Sequence, residues 1–181
     1  MIKKWKVLKS TRLFESDWFN LRKDVCKLPS GLTLPDYYVG ESPDYCMVVA
    51  LTKKGRILLA REYKHAVREV ILQLPAGYVD PKDRGHRRAV LRELEEETGW
   101  VPGCLRYLGA FFPSPGRLDN RMHLYEARDL KPGRRHLDLS EDLELMEATP
   151  SQCLSFVRRG LIQDQASALA ILLYLSHKKN R

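Results

Sequence analysis

The run from Arg87 to Thr98 restricts this chain most, because it carries helix formers almost without interruption until Gly99 stops it. Wound at roughly 100° per residue, Glu93, Glu96 and Glu97 fall within an arc of about 100°, so three carboxylates share one face. Val90, Leu91 and Leu94 occupy the adjacent arc and can pack on a sheet. The fold must bury one side of this helix and leave the acidic side at the rim of the buried surface. Like charges four residues apart destabilise a helix by roughly 0.2–0.5 kcal/mol. A divalent cation such as magnesium reverses that cost, since it takes carboxylate oxygens and keeps sites for water and substrate phosphate. Dense glutamates alone commonly form a solvated face, here with Arg88 and Arg92 as ion-pair partners. The turn-forming GYVDP segment upstream and Gly99 downstream instead set the acidic face beside a loop whose backbone can join a metal site.

The surrounding pattern predicts a mixed order of strands and helices in one domain of 181 residues, with an arm over residues 1–42 and a core over 43–181. In the arm, Trp18 to Leu28 and Leu34 to Val39 read as extended, separated by a turn at Pro29 to Gly31. CMVVAL at Cys46 to Leu51 and RILLA at Arg56 to Ala60, either side of Lys53 to Gly55, give the clearest hairpin signal. Strands are expected at Leu105 to Phe112, Arg121 to Ala127 and Leu143 to Ala148, and helices at Ser151 to Arg159 and Ala166 to Ser176. No apolar run is long enough to span a bilayer, and no leader follows the initial MIKKWKVLKS. Four cysteines without metal-ligand spacing suit a reduced cytoplasm. The net charge of +8 favours anionic partners, phosphorylated small molecules or nucleic acid, without choosing between them; a basic surface is commonly simple solvation, and no aromatic-rich RNA-binding signature accompanies it.

The segment GYVDPKDRGHRRAVLRELEEETGW, Gly77 to Trp100, resembles the Nudix box, and its RELEEETG half matches without a break. The resemblance implies an α/β (α+β) Nudix fold, a mixed sheet between helices with an N-terminal antiparallel strand arm. It also implies that Glu93, Glu96 and Glu97 ligate metal, that the Ala76 carbonyl completes the inner site, and that Arg92 braces the helix through ion pairs. Magnesium is the implied ion, with manganese as a substitute. The first half of the box departs from the pattern. Where the family has a glutamate between glycine and helix, this chain offers Asp83 or Arg84, and Gly77 to Arg92 is one residue too long. Weakened bracing is the expectation, with metal binding kept.

The resemblance covers most of the chain and points to the subgroup that hydrolyses ADP-ribose and nucleoside diphosphate sugars. It is carried by LPSGLTLPDYYV at Leu28 to Val39, LLAREYKHAVRE at Leu58 to Glu69, ILQLPAG at Ile71 to Gly77 and FFPSPGRLDNRMHLYEARDL at Phe111 to Leu130, with Pro115 as the usual marker. By this likeness Trp18 stacks on the nucleotide base, although a Trp beside Phe19 equally suits a core, and Tyr37 or Tyr38 supplies a second aromatic. Arg61 and Lys64, flanking Tyr63, suit phosphate oxygens, and Lys64 stands where the family usually has Arg. Gln73 replaces a common glutamate at the rim. The acidic segment Leu137 to Glu144 matches the place of the loop that carries the catalytic base, assigned to Glu141 with Asp142 and Glu144 as alternatives; Glu97 shares the catalytic work. His86, His123 and His136 have no spacing that marks a ligand. A homodimer through the arm is implied. The competing readings are a Nudix hydrolase of RNA 5′ ends or dinucleotide polyphosphates, and a nucleotide sensor without turnover.

Overall fold

The computed structural model describes residues 1–137 and 142–179. Strands β1 (Lys6–Phe14), β2 (Asn20–Lys27) and β3 (Thr33–Glu41) form an antiparallel sheet in that order, as expected of the arm. The turn between β2 and β3 closes at Gly31, whose φ of 91° suits a residue without Cβ. This unit comprises Met1–Pro43 together with Phe112–Arg121. The later segment binds to the sheet's edge at Gly40, whose amide donates to the Arg117 carbonyl at 2.8 Å.

The second unit comprises Asp44–Phe111 and Met122–Arg181. Its first four elements are the strands β4 (Tyr45–Ala50), β5 (Ile57–Lys64), β6 (Glu69–Gln73) and β7 (Ala76–Tyr78). A short 3₁₀ turn (Pro81–Asp83) then leads into helix α1 (His86–Thr98). Strands β8 (Trp100–Phe111), β9 (Met122–Pro132) and β10 (Leu143–Ala148) and helices α2 (Pro150–Arg158) and α3 (Gln165–Lys179) follow. A mixed sheet runs β7-β4-β9-β8, with β4 and β9 parallel, and an antiparallel sheet runs β10-β5-β6.

Strand β4 sets the layering because its side chains alternate between two cores. Cys46, Val48 and Ala50 face Ala89, Val90 and Leu94 of α1, while Met47 and Val49 face Ala166, Ala170, Ile171 and Tyr174 of α3 and Cys153 of α2. Helices therefore cover both faces of the mixed sheet, and the apolar arc of α1 is the one buried. Cys26, Cys46 and Cys153 are buried thiols and Cys104 is exposed, all four free.

The expected hairpin of Cys46 to Leu51 with Arg56 to Ala60 is overturned. The turn forms, with Gly55 at φ 69°, but only the bridge Leu51↔Ile57 joins the two runs. Strand β4 then pairs with β7 and β9, and β5 with β6 and β10. Both runs are buried on both faces, so neither has a solvent side that would hold the pair together as an isolated ribbon. Strands β1, β6 and β7 come in addition to the sequence expectation.

Candidate active site

Helix α1 lacks an acidic first turn and ends at Gly99, a left-handed cap at φ 73° whose amide donates to the Glu95 carbonyl at 2.7 Å. Its acidic face meets β7. A Cβ built on Gly77 would lie 2.0 Å from the carboxyl carbon of Glu93 and 2.1 and 2.3 Å from its oxygens, so this carboxylate occupies the space any larger residue would fill. Glu97 is buried, and its Oε2 accepts the Ala76 amide at 3.2 Å. Ala76 and Gly77 are thus fastened against two of the three carboxylates of the acidic face.

Arg92 organises the rest. Its Nε and Nη2 donate to the two oxygens of Asp83 at 2.9 Å each, its Nη2 also to the Tyr78 carbonyl at 3.1 Å, and its Nη1 to Glu96 at 2.8 Å. The same Nη1 lies 2.9 Å from Glu93 Oε1, so Glu93 and Glu96 converge on one nitrogen. Hydrogen bonding to Asp83 leads the causes that raise the guanidinium's pKa, and the reciprocal bond holds the Asp83 carboxyl below its ordinary range.

This corrects the expectation of weakened bracing. Asp83 is buried, caps its own 3₁₀ turn by accepting the Asp80 amide, and grips Arg92 as a two-pronged partner. Arg84, the other candidate, takes a left-handed conformation at φ 53° and is followed by Gly85 at φ 122°, which absorbs the extra residue of the box.

The carboxylate set suits a hard divalent ion, because all the donors are oxygens and Gly77 leaves room for Glu93. As they stand, no three His, Cys, Asp or Glu side chains among the described residues are arranged to hold an ion. Glu96 and Glu93 are both turned to Arg92 Nη1, at 2.8 and 2.9 Å.

The phosphate candidates are not brought together. Arg61 and Lys64 are three residues apart on β5, and side chains alternate, so they project from opposite faces. Arg61 is exposed and 4.0 Å from Glu144 of β10, while Lys64 pairs with Glu62 at 2.7 Å. Gln73, read from sequence as a rim residue, is buried and donates to Glu62 Oε2 at 2.8 Å. Glu62 therefore restores a carboxylate beside Gln73. In the sequence Glu62 carries no mark of this role, since it stands between Arg61 and Lys64 as an ordinary ion-pair partner would. On the flank of α1, Lys82, Arg87, Arg88 and Arg92 line a groove of about 550 Å³ with Asp83 and Leu91. Glu141 lies outside the described residues.

In the arm unit Trp18 stands in the bend before β2 and is 72% exposed, which removes the core alternative. Tyr37 is half-buried, its hydroxyl donates to the Gly116 carbonyl at 2.8 Å, and its ring forms a T-shaped pair with Trp5, centroids 5.7 Å apart. Tyr38 is exposed. Away from the carboxylates, His86 stacks on His123 at 3.9 Å and bonds to the Tyr125 hydroxyl, and His123 reaches Asp44 at 3.0 Å. Burial, then the neighbouring His123, keeps the His86 pKa low.

The sequence profile of the NUDIX domain matches residues 42–158, which contain the whole carboxylate helix and its Gly77 cradle. The chain belongs to the Nudix family. Residues 5–39 match the nucleoside diphosphate sugar hydrolase N-terminal domain. This Nudix chain is 32% identical to the methanol dehydrogenase activator of Bacillus methanolicus and 30% identical to the ADP-ribose pyrophosphatase of Bacillus subtilis (strain 168). Each match covers 92% of this chain and 90% of the relative. The GDP-mannose pyrophosphatase of Pectobacterium atrosepticum is 25% identical, over 84% of this chain and 85% of that protein. A crystal structure of an ADP compounds hydrolase shares the fold, with a TM-score of 0.86 at 20% identity over 99% of this chain and 97% of that one. Nudix hydrolases generally need a divalent metal. No helix among the described residues is long and apolar enough to cross a membrane.

Proposed function

We propose that this Nudix protein hydrolyses the diphosphate of ADP-ribose or a nucleoside diphosphate sugar to a nucleoside monophosphate and a sugar phosphate. One observation carries the reading: Glu93, Glu96 and Glu97 lie on one face of α1, with Glu93 seated against Gly77 and Glu97 bonded to Ala76. Glu93, Glu96, Glu97 and the Ala76 carbonyl would hold the ion, magnesium in the first instance and manganese in its place. When bound there, such an ion would supply charge neutralisation for the phosphoryl oxygens and a lowered pKa for the attacking water. Asp83 and Arg92 fix the helix against the loop, so the carboxylates are oriented before substrate arrives. The cationic groove beside α1 raises the local concentration of a phosphorylated ligand. Glu141 is assigned as the base that takes the proton from water, with Asp142 and Glu144 as alternatives. Lys64 and Gln73, which share Glu62 as a partner, are assigned to the polar wall of the site, and Trp18 and Tyr37 to the base; Arg61, on the other face of β5, is left out of that wall.

The substrate class is supported by the pyrophosphatase relatives and by the match of residues 5–39. A homodimer through the arm is supported by Val7, Leu8, Leu13 and Phe14, all exposed on β1, an edge strand. A cytoplasmic location is supported by four free cysteines. The test is a panel of ADP-ribose, GDP-mannose, dinucleotide polyphosphates and triphosphate-ended RNA with magnesium. Turnover should concentrate on the first two, and Glu97→Gln should abolish it while the fold persists. Turnover unaffected by that change refutes the metal assignment. Binding without cleavage of any candidate favours a sensor.

A further inference from the structure

Glu96 and Glu97 sit in the last turn of α1, where helix carbonyls have no partners within the helix. A cation can serve there, both as a donor and against the negative end of the helix dipole, yet this turn contains no basic residue of its own. The partners come from a segment far along the chain. The Gly133 amide donates to the Gly99 carbonyl at 2.8 Å, the His136 amide to the Glu96 carbonyl at 2.9 Å, and the Arg134 amide to the Glu95 carboxylate at 3.2 Å. Arg135 completes the set, donating from Nε to the Glu97 carbonyl and from Nη2 to the Leu143 carbonyl, each at 2.8 Å. Packing leaves no slack at these points. A Cβ on Gly133 would lie 2.7 Å from Glu95, and one on Gly99 would lie 3.3 Å from the Cβ of Arg135.

We propose that Arg135 is a positioning residue for metal-dependent hydrolysis: by joining the Glu97 carbonyl to the first residue of β10, it fixes the turn that presents Glu96 and Glu97. Without that fork the Glu97 carbonyl would exchange with water, although the Glu96 and Gly99 carbonyls keep their amide partners, and the carboxylates of the loosened last turn would move with its backbone. Nε and Nη2 are separate donors on one rigid plane and so hold the two carbonyls in a fixed relation, which the single rotating nitrogen of lysine does not reproduce. The inference rests on the proposed reading of these glutamates as metal ligands, and its effect is on metal binding more than on substrate.

The test compares wild type, R135K and R135A, first by calorimetric titration with manganese alone and then by steady-state kinetics on ADP-ribose. Loss of a supporting partner outside the ligand set weakens metal binding by about 10–100-fold. R135A should therefore bind manganese at least about tenfold more weakly, with kcat reduced at fixed metal and KM unchanged once metal saturates. R135K, which keeps the charge, should melt near wild type yet bind manganese more weakly, separating positioning from general stability. If R135A fails to fold, R135K decides alone. Wild-type manganese affinity in a folded variant overturns the proposal, as does a rise in KM with metal affinity unchanged. Should wild type bind manganese and cleave nothing on the panel, the substrate reading falls while the titration still judges Arg135.

Discussion

Replacing Asp83 by Asn tests the bracing of the carboxylate helix directly. The Asp83 side chain is 7% exposed and offers both oxygens to Arg92, whose side chain is 33% exposed. A hydrogen bond to a charged group contributes about 1.5–3 kcal/mol in protected surroundings. Asn retains one acceptor, and Arg92 keeps Tyr78, Glu93 and Glu96, so the full figure for two bonds does not apply. Discounting further for solvent around Arg92 leaves a loss of about 1.5–2.5 kcal/mol, or about 4–8 °C in Tm for a chain of this size. The pH dependence fixes the mechanism. Arg92 holds the Asp83 pKa below its ordinary 3.8 against the opposing effect of burial, so the stabilisation is complete above pH 3.8 and is lost as pH falls through the lowered value. Thermal melts of both proteins should therefore differ fully at pH 7 and converge progressively below pH 3.8. Equal Tm values at pH 7, or a difference that persists unchanged in acid, would refute the assignment of Asp83 as the brace.

Two further substitutions separate site from scaffold. Gly77→Ala should displace the Glu93 carboxylate, since the new methyl meets the mobile end of that side chain; metal affinity should fall at least about tenfold with Tm shifted by only about 2–3 °C, readable by manganese titration and melting. Trp18→Ala should leave Tm unchanged, because the ring is exposed, while raising KM for ADP-ribose by about tenfold, the equivalent of a stacking contact of about 1–1.5 kcal/mol; an unchanged KM removes Trp18 from the site.

What the sequence reveals follows from how locally each feature is determined. The α1 assignment rests on periodicity within thirteen residues, and the buried set Val90, Leu94 and the acidic rim came out as the helical wheel requires. Strand partners are not local. Strand β4 is apolar on both faces and carries no mark to say that its parallel neighbour is β9, across α1 and β8. The turn at Lys53 to Gly55 was legible, yet a turn does not hold two strands together when each has better partners elsewhere. Side-chain direction on β5 illustrates the same limit: Arg61 and Lys64 look adjacent in the sequence, but an odd spacing sends them to opposite faces. Arg135 left no signal because its role consists of two carbonyls on other elements.

The departure in the first half of the box turns on geometry more than residue identity. Aspartate is one methylene shorter than glutamate, so to meet Arg92 its backbone must come closer to the helix. The 3₁₀ turn provides that approach, because Asp80 and Asp83 cap one another and turn the Asp83 carboxylate inward. The chain must then reverse into α1, and the additional residue makes this possible: Arg84 takes a left-handed conformation and Gly85 one open only to glycine. Left-handed geometry at a non-glycine residue costs about 1–2 kcal/mol, which the paired bonds to Arg92 offset. The insertion and the shortened acid therefore compensate one another. Together they bring carboxylate and guanidinium into contact and leave Glu93, Glu96 and Glu97 on one arc of α1, with Glu93 against Gly77 and Glu97 against Ala76.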